Sequence, residues 1–242
     1  LALVALAVLT AGAVPALAGD VTITKSTLVI DSGQRFFRGK ATNVARGSYG
    51  EKKTPAFGIP YLAIEKNIPP AAIAKVPVKV TGPIAVDWGK VSKTEVEAGV
   101  NYLKAGGGKA SLSVDSAKSA KLMLVKFSIN EGDLKDLLNK HATDARADIK
   151  KEGNDGRVVS EVYVAMAAEL ASQVTTGGSV SAKGGANGLE VEVAASGSST
   201  TTTKVGLPPD TTFAYLLHKV KKWGGGGKNV VDDMEDDRVG VN

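Results

Sequence analysis

Two histidines, His141 and His218, and no cysteine leave this chain few side chains for covalent or metal chemistry. Without thiols there is no disulfide framework, thiolate metal site, iron–sulfur ligand or cysteine nucleophile. His141 falls on the polar side of a helical stripe with Asp144 three residues on, where a solvated imidazole accounts for it better than a general base. His218 lies between Leu217 and Lys219, which reads as a mixed surface position. A serine nucleophile needs a Gly-x-Ser-x-Gly elbow, and neither Gly178-Ser179 nor Ser196-Gly197-Ser198 supplies one. Glu190 and Glu192 alternate along a strand and share its outer face, without the aromatic platform that sugar cleavage would use.

Ligand loops fail in the same way. A phosphate loop ending at Gly227-Lys228 requires Gly where Lys222 stands and Ser or Thr where Asn229 stands; one ending at Gly108-Lys109 meets Leu103. The acids Asp232, Asp233, Glu235, Asp236 and Asp237 lack the alternating ligands and central glycine of a Ca²⁺ loop. No cofactor is expected, and the chain reads as non-enzymatic.

The elements that must position any working surface begin after residue 18. Residues 1–18 carry no charge and end Ala16-Leu17-Ala18, the small-x-small pattern that signal peptidase reads, so cleavage before Gly19 is expected. The alternative is a retained anchor, since eighteen apolar residues reach the lower limit for a span. An exported, cysteine-free chain suits a periplasmic, envelope or extracellular setting. Of the net charge of +5, the segment from Lys228 onward contributes −3, which leaves +8 on the body. That surplus favours an anionic membrane surface as partner. Nucleic acid is not expected, because the cations are scattered and aromatics are only 5% of residues.

Periodicity predicts an α+β fold, mostly β: an antiparallel twisted sheet with one principal amphipathic helix and long β-ribbons. Residues 19–223 form a single β-rich domain, and 224–242 a flexible tail, glycine-rich and then acidic. Strands are expected at 21–30, 84–88, 91–98, 110–114, 121–129 and 211–223. In 121–129, Met123, Val125, Phe127 and Ile129 share one face. Prolines keep 68–83 at an edge or crossover. Leu134, Leu137, Leu138, Ala142, Ala145 and Ile149 predict one helix over 134–151. VVSEVYVAMAAELA, 158–171, reads as one long strand, and 175–206 as a two-stranded Ser/Thr/Gly-rich ribbon.

Leu207-Pro208-Pro209-Asp210-Thr211-Thr212-Phe213-Ala214-Tyr215, preceded by Val158-Val159-Ser160-Glu161-Val162, resembles part of the gasdermin-type pore-forming domains. In that family a proline-led P-x-x-T-x-x-A-(F/Y) segment opens a late strand; Pro208, Thr211, Ala214 and Tyr215 fit its spacing. The resemblance covers residues 158–220 only. It implies an α+β domain that refolds polar ribbons into membrane-spanning hairpins and oligomerises. The export signal, and the lack of the cysteine that some bacterial members lipidate, depart from the family. On this reading Val180, Leu189, Val191, Val193, Phe213 and Tyr215 contact membrane or neighbouring copies. The rivals are a filament or envelope subunit assembled by strand addition, and a periplasmic binding module.

Overall fold

The structure is a computed structural model of the chain. It describes residues 20–239 except 32, 97–98, 177–179, 186–187 and 195–201; for 180–185, 188–189, 191–194 and 202–203 only the backbone is described. The expected leader at 1–18 lies outside the described residues.

In chain order the first strands are β1 (Val21–Ile23), β2 (Thr27–Ile30), β3 (Gln34–Phe37), β4 (Ser48–Lys53) and β5 (Tyr61–Asn67). After the turn α1 (Pro70–Ile73) come β6 (Lys79–Ala85), β7 (Asn101–Leu103), β8 (Lys109–Ser111), α2 (Val114–Ser119) and β9 (Met123–Ser128). Helices α3 (Glu131–Asp136) and α4 (Thr143–Lys151) lead into β10 (Gly156–Met166) and α5 (Ala168–Thr176). The chain closes with β11 (Val180–Gly185), β12 (Gly188–Ala194), β13 (Thr202–Leu207), β14 (Thr212–Gly224) and β15 (Val230–Asp237).

Among the described residues, twelve strands make one twisted, unclosed sheet with the path β1-β2-β3-β14-β10-β4-β5. The mostly β composition is therefore as the sequence predicts. Strand β10 is the hub: it pairs with β14 on one side and with β4 and then β9 on the other. Ten of its eleven residues are buried, which matches its run of β-branched residues with apolar layers on both faces. Met123, Val125 and Phe127 pack on one side of β9 as expected, while Leu122 and Leu124 join a second cluster on the other side.

Several expectations are corrected. The helix expected at 134–151 is two short helices, because Leu137–His141 forms a π-turn and Ala142 leaves helical geometry. The apolar stripe itself is right: Leu134, Leu137, Leu138, Ala145 and Ile149 all enter one core cluster. The extra residue in the π-turn bends the backbone while both half-stripes stay against that core. The strand expected over 158–171 stops at Met166, and Ala168–Thr176 is helical, with Leu170, Ala171 and Val174 buried. Helix-forming Ala, Glu and Leu prevail once the β-branched run ends. Residues 91–98 form no strand among those described. The expected two-stranded ribbon is a three-stranded antiparallel meander, β11-β12-β13.

The acidic segment expected to be a flexible tail is strand β15. It pairs along β14 from Leu217↔Asp237 to Gly224↔Val230, around the turn Gly225–Lys228. Its acids meet the cations of β14, and Val231 and Met234 are buried. Charge complementarity plus two apolar anchors is enough to order it.

Candidate functional site

Phe213 and Tyr215, expected as contact residues, serve the core. Both are fully buried: Phe213 meets Trp88 edge-on at 5.9 Å between ring centroids, and Tyr215 stacks on Phe37 at 5.7 Å. The Pro-Asp-Thr turn before β14 explains why. Thr211 Oγ1 donates to Pro208 O at 2.6 Å and Thr212 Oγ1 to Val44 O at 2.7 Å, which aims the strand into the middle of the sheet. Val180, Leu189, Val191 and Val193 lie in β11 and β12, where Val180↔Val193 and Leu189↔Leu207 are in register; their side chains lie outside the described residues. Glu190 and Glu192 sit in β12 opposite Gly206 and Lys204.

The histidines separate. His141 is exposed at the end of the π-turn. His218, read as a surface position, is buried, because β15 covers it; Nε2 lies 3.0 Å from Asp236 Oδ1. That contact, with Arg238 beyond it, holds the Asp236 carboxyl down at about 2. No group of three His, Cys, Asp or Glu residues suited to a metal occurs among the described residues. No helix there is long and apolar enough to cross a membrane.

What the fold does assemble is a surface at one end of the sheet. Strand β4 runs antiparallel to β10 with Glu51 opposite Gly156, so the β4–β5 tip projects past the start of β10. Pro55, Ala56, Phe57 and Gly58 at that tip are exposed, and Phe57 entirely so. A bare phenyl ring on a hairpin tip loses about 1.5–3 kcal/mol of available burial. A 3₁₀ turn at Gly153–Asp155 joins α4 to the same end of β10, which places the helix C-terminus there.

Beside it lies a cavity of about 480 Å³ lined by Arg146, Ala147, Lys150, Lys151, Trp223 and Asn229. Each cation is held in place. Lys150 Nζ donates to Asn229 Oδ1 at 2.6 Å and sits 5.8 Å from the Trp223 ring centroid. Lys151 pairs with Asp148 at 2.8 Å. Arg146 Nη1 donates to Asn139 O at 3.2 Å, and the Asn139 amide exchanges two 2.9 Å hydrogen bonds with the Val231 backbone. The π-turn is what puts Asn139 against β15. Three cations, an indole and an amide around one cavity suit an anionic group carried on an apolar body.

Sequence reasoning did not find this site. The exposed Phe57 had a usable signal, an aromatic among Pro, Ala and Gly, but periodicity marks strands and helices and not the tip that joins them. The cavity had none, since its lining joins Arg146–Lys151 to Trp223 and to Asn229, the last of them in the segment read as a tail. A smaller cleft of about 320 Å³ beside Trp88 is less suited, because the indole Nε1 is already committed to Leu122 O at 2.7 Å.

No protein-family model, curated protein or solved structure matches the chain. The class that fold and site define is therefore a mostly β, α+β protein with an apolar hairpin tip at the same sheet end as a basic, tryptophan-lined cavity.

Proposed function

We propose that this chain is an exported, non-enzymatic protein that binds anionic membrane surfaces and then self-associates. The observation that carries the reading is the fully exposed Phe57 at the β4–β5 tip, at the same sheet end as Arg146, Lys150 and Trp223. One inserted phenyl is worth about 1.5–3 kcal/mol, and each cation near an anionic bilayer adds about 1 kcal/mol. Neither part suffices alone; with three cations they sum to about 4.5–6 kcal/mol, a dissociation constant of about 0.04–0.5 mM. Trp223 is of the type that collects at membrane–water interfaces. The gasdermin-type resemblance would extend the reading: the 180–207 meander rearranges into spanning hairpins, with Val180, Leu189, Val191 and Val193 toward lipid or neighbours. Export would leave Gly19 at the mature N-terminus.

Vesicle co-sedimentation and dye leakage test this, with phosphatidylserine-rich and purely phosphatidylcholine vesicles. Wild type should bind and permeabilise only the former. Phe57→Asp should bind at least about tenfold more weakly with an unchanged Tm, because the ring touches nothing in the fold. Equal binding by the two proteins sinks the proposal. Fibres without leakage would instead favour a subunit assembled through the outer edge of β1, which among the described residues pairs only with β2.

A further inference from the structure

Along the β14–β15 hairpin the surface cations are matched: Lys219 meets Glu235, Lys221 meets Asp233 and Lys222 meets Asp232. The cavity between α4 and the turn of that hairpin breaks the pattern. Of its three cations Lys151 alone is paired, with Asp148. Lys150 Nζ donates to Asn229 Oδ1 at 2.6 Å and to Gly227 O at 3.3 Å, and Arg146 Nη1 to Asn139 O at 3.2 Å; all three acceptors are neutral. Neither Arg146 nor Lys150 meets a carboxylate among the described residues, and no acid lines the cavity. The two stand at i and i+4 on one face of α4, where like charges repel. Basic groups in the last turn complement a helix C-terminus, which accounts for Lys150 and Lys151 but not for Arg146, a turn earlier.

The walls of the cavity are tied together rather than merely adjacent. Lys150 bridges α4 to the hairpin turn, and Asn139, held to the Val231 backbone by two 2.9 Å hydrogen bonds, fixes the Arg146 side chain. The Nε and Nη2 atoms of Arg146 carry three N–H donors that no described residue accepts. Trp223 is half-buried and, with Ala147, supplies the apolar part of the lining. At about 480 Å³ the cavity has the size of a small-ligand site.

We infer that this cavity binds a dianionic head group carried on a flat apolar body, either a phosphomonoester or a vicinal dicarboxylate. Charge sets the head: a dianion neutralises Arg146 and Lys150 together, whereas a single carboxylate leaves one of them uncompensated. Arginine takes such a group through two parallel N–H bonds, and lysine as a point charge. The indole sets the body, because a flat ring stacks on it and gains contact that a bare inorganic anion lacks. The inference rests on the same anion-binding cavity as the membrane reading, but a small soluble ligand reports on the cavity alone, and Phe57→Asp decides membrane attachment separately.

Tryptophan fluorescence of the full chain tests this. The chain has two tryptophans, and Trp88 is buried with its Nε1 committed to Leu122 O, so a ligand-induced change reports Trp223 and should vanish in Trp223→Phe. Phenyl phosphate and phthalate are titrated at constant ionic strength against benzoate and inorganic phosphate. A saturable change with phenyl phosphate alone assigns the phosphomonoester, with phthalate alone the dicarboxylate, and with both the shared dianion. Benzoate and inorganic phosphate should each bind at least about tenfold more weakly. Arg146→Gln and Lys150→Gln should each weaken the better dianion at least about tenfold, while Lys219→Gln, which removes a cation outside the cavity, and Phe57→Asp should match wild type. No saturable change with either dianion overturns the inference. So does benzoate binding as tightly as the dianions, or an equal loss in Lys219→Gln, which would mark a general charge effect.

Discussion

Asp148 holds three partners at once: Lys151 at 2.8 Å, Lys66 at 3.0 Å and Tyr49 Oη at 3.2 Å. The lysine hydrogen bonds, Lys151 first, keep its carboxyl at about 2, and burial beside it pushes the Tyr49 phenol up to about 12. A carboxyl held below its unfolded value of about 4 stabilises the fold fully above that pH and loses the contribution as the pH falls toward 2. Asp236, held down by His218, acts in the same direction. Thermal melts from pH 6 to pH 2 should therefore show Tm falling below about pH 4. Asp148→Asn should melt lower than wild type at pH 7 and show a shallower fall; a parallel curve would exclude Asp148 as a source of the acid sensitivity. At this scale the sequence named few of the residues that matter. Asp148 and Arg46 look like ordinary surface charges along the chain, and only their surroundings make one fully bonded and leave the other buried without a hydrogen-bond partner among the described residues.

Strand β15 shows how charge and apolar contact divide the work of holding an element. Lys219–Glu235 at 2.7 Å, Lys222–Asp232 at 2.5 Å and Lys221–Asp233 at 3.5 Å line it, but their side chains are substantially exposed. Such pairs contribute about 0–1 kcal/mol each and fade in salt. Val231 and Met234 are buried, and truncating such a residue costs about 2–5 kcal/mol. The apolar pair therefore outweighs these exposed pairs, while Asp237, buried against Arg157 and Lys52, fixes the far end of the strand. Met234→Ala should release β15 and expose β14 amides from Val220 to Gly224 to hydrogen exchange, whereas raising NaCl from low to high concentration should leave their protection nearly unchanged. The reverse result would mean that the ion pairs carry the strand. Val230, Val231 and Met234 stand among acids without a period of two, and the Gly-rich turn before them made a flexible tail the natural reading. A partner strand 13 residues long, β14, was needed to convert that pattern into structure.

Across the whole molecule, the curled sheet brings distant segments together at Tyr215. Its hydroxyl donates to Gly39 O at 2.8 Å across 176 residues and accepts from Leu62 N–H at 3.1 Å. Gly39 bridges Tyr61, and a Cβ at Gly39 would collide with the Pro60 carbonyl, so the approach depends on glycine. Tyr215→Phe leaves a buried carbonyl and a buried N–H without this bond, and should cost about 1–3 kcal/mol in urea unfolding while opening the Leu62 amide to exchange. Loss of less than about 0.5 kcal/mol would mean that the sheet arms stay together without it.

From its own pattern the chain determined a mostly β composition, the β10 run from Val158 to Met166, the buried leucine stripe of 134–149 and the absence of thiol chemistry. Those follow from side-chain type and period, which are local. Tertiary structure alone decided that the stripe breaks into a π-turn, that the acidic end becomes a strand, that Phe213 and Tyr215 are core, and that Phe57 is bare at the sheet end that also carries a basic cavity. Each depends on which element packs against which, and no local period encodes that meeting.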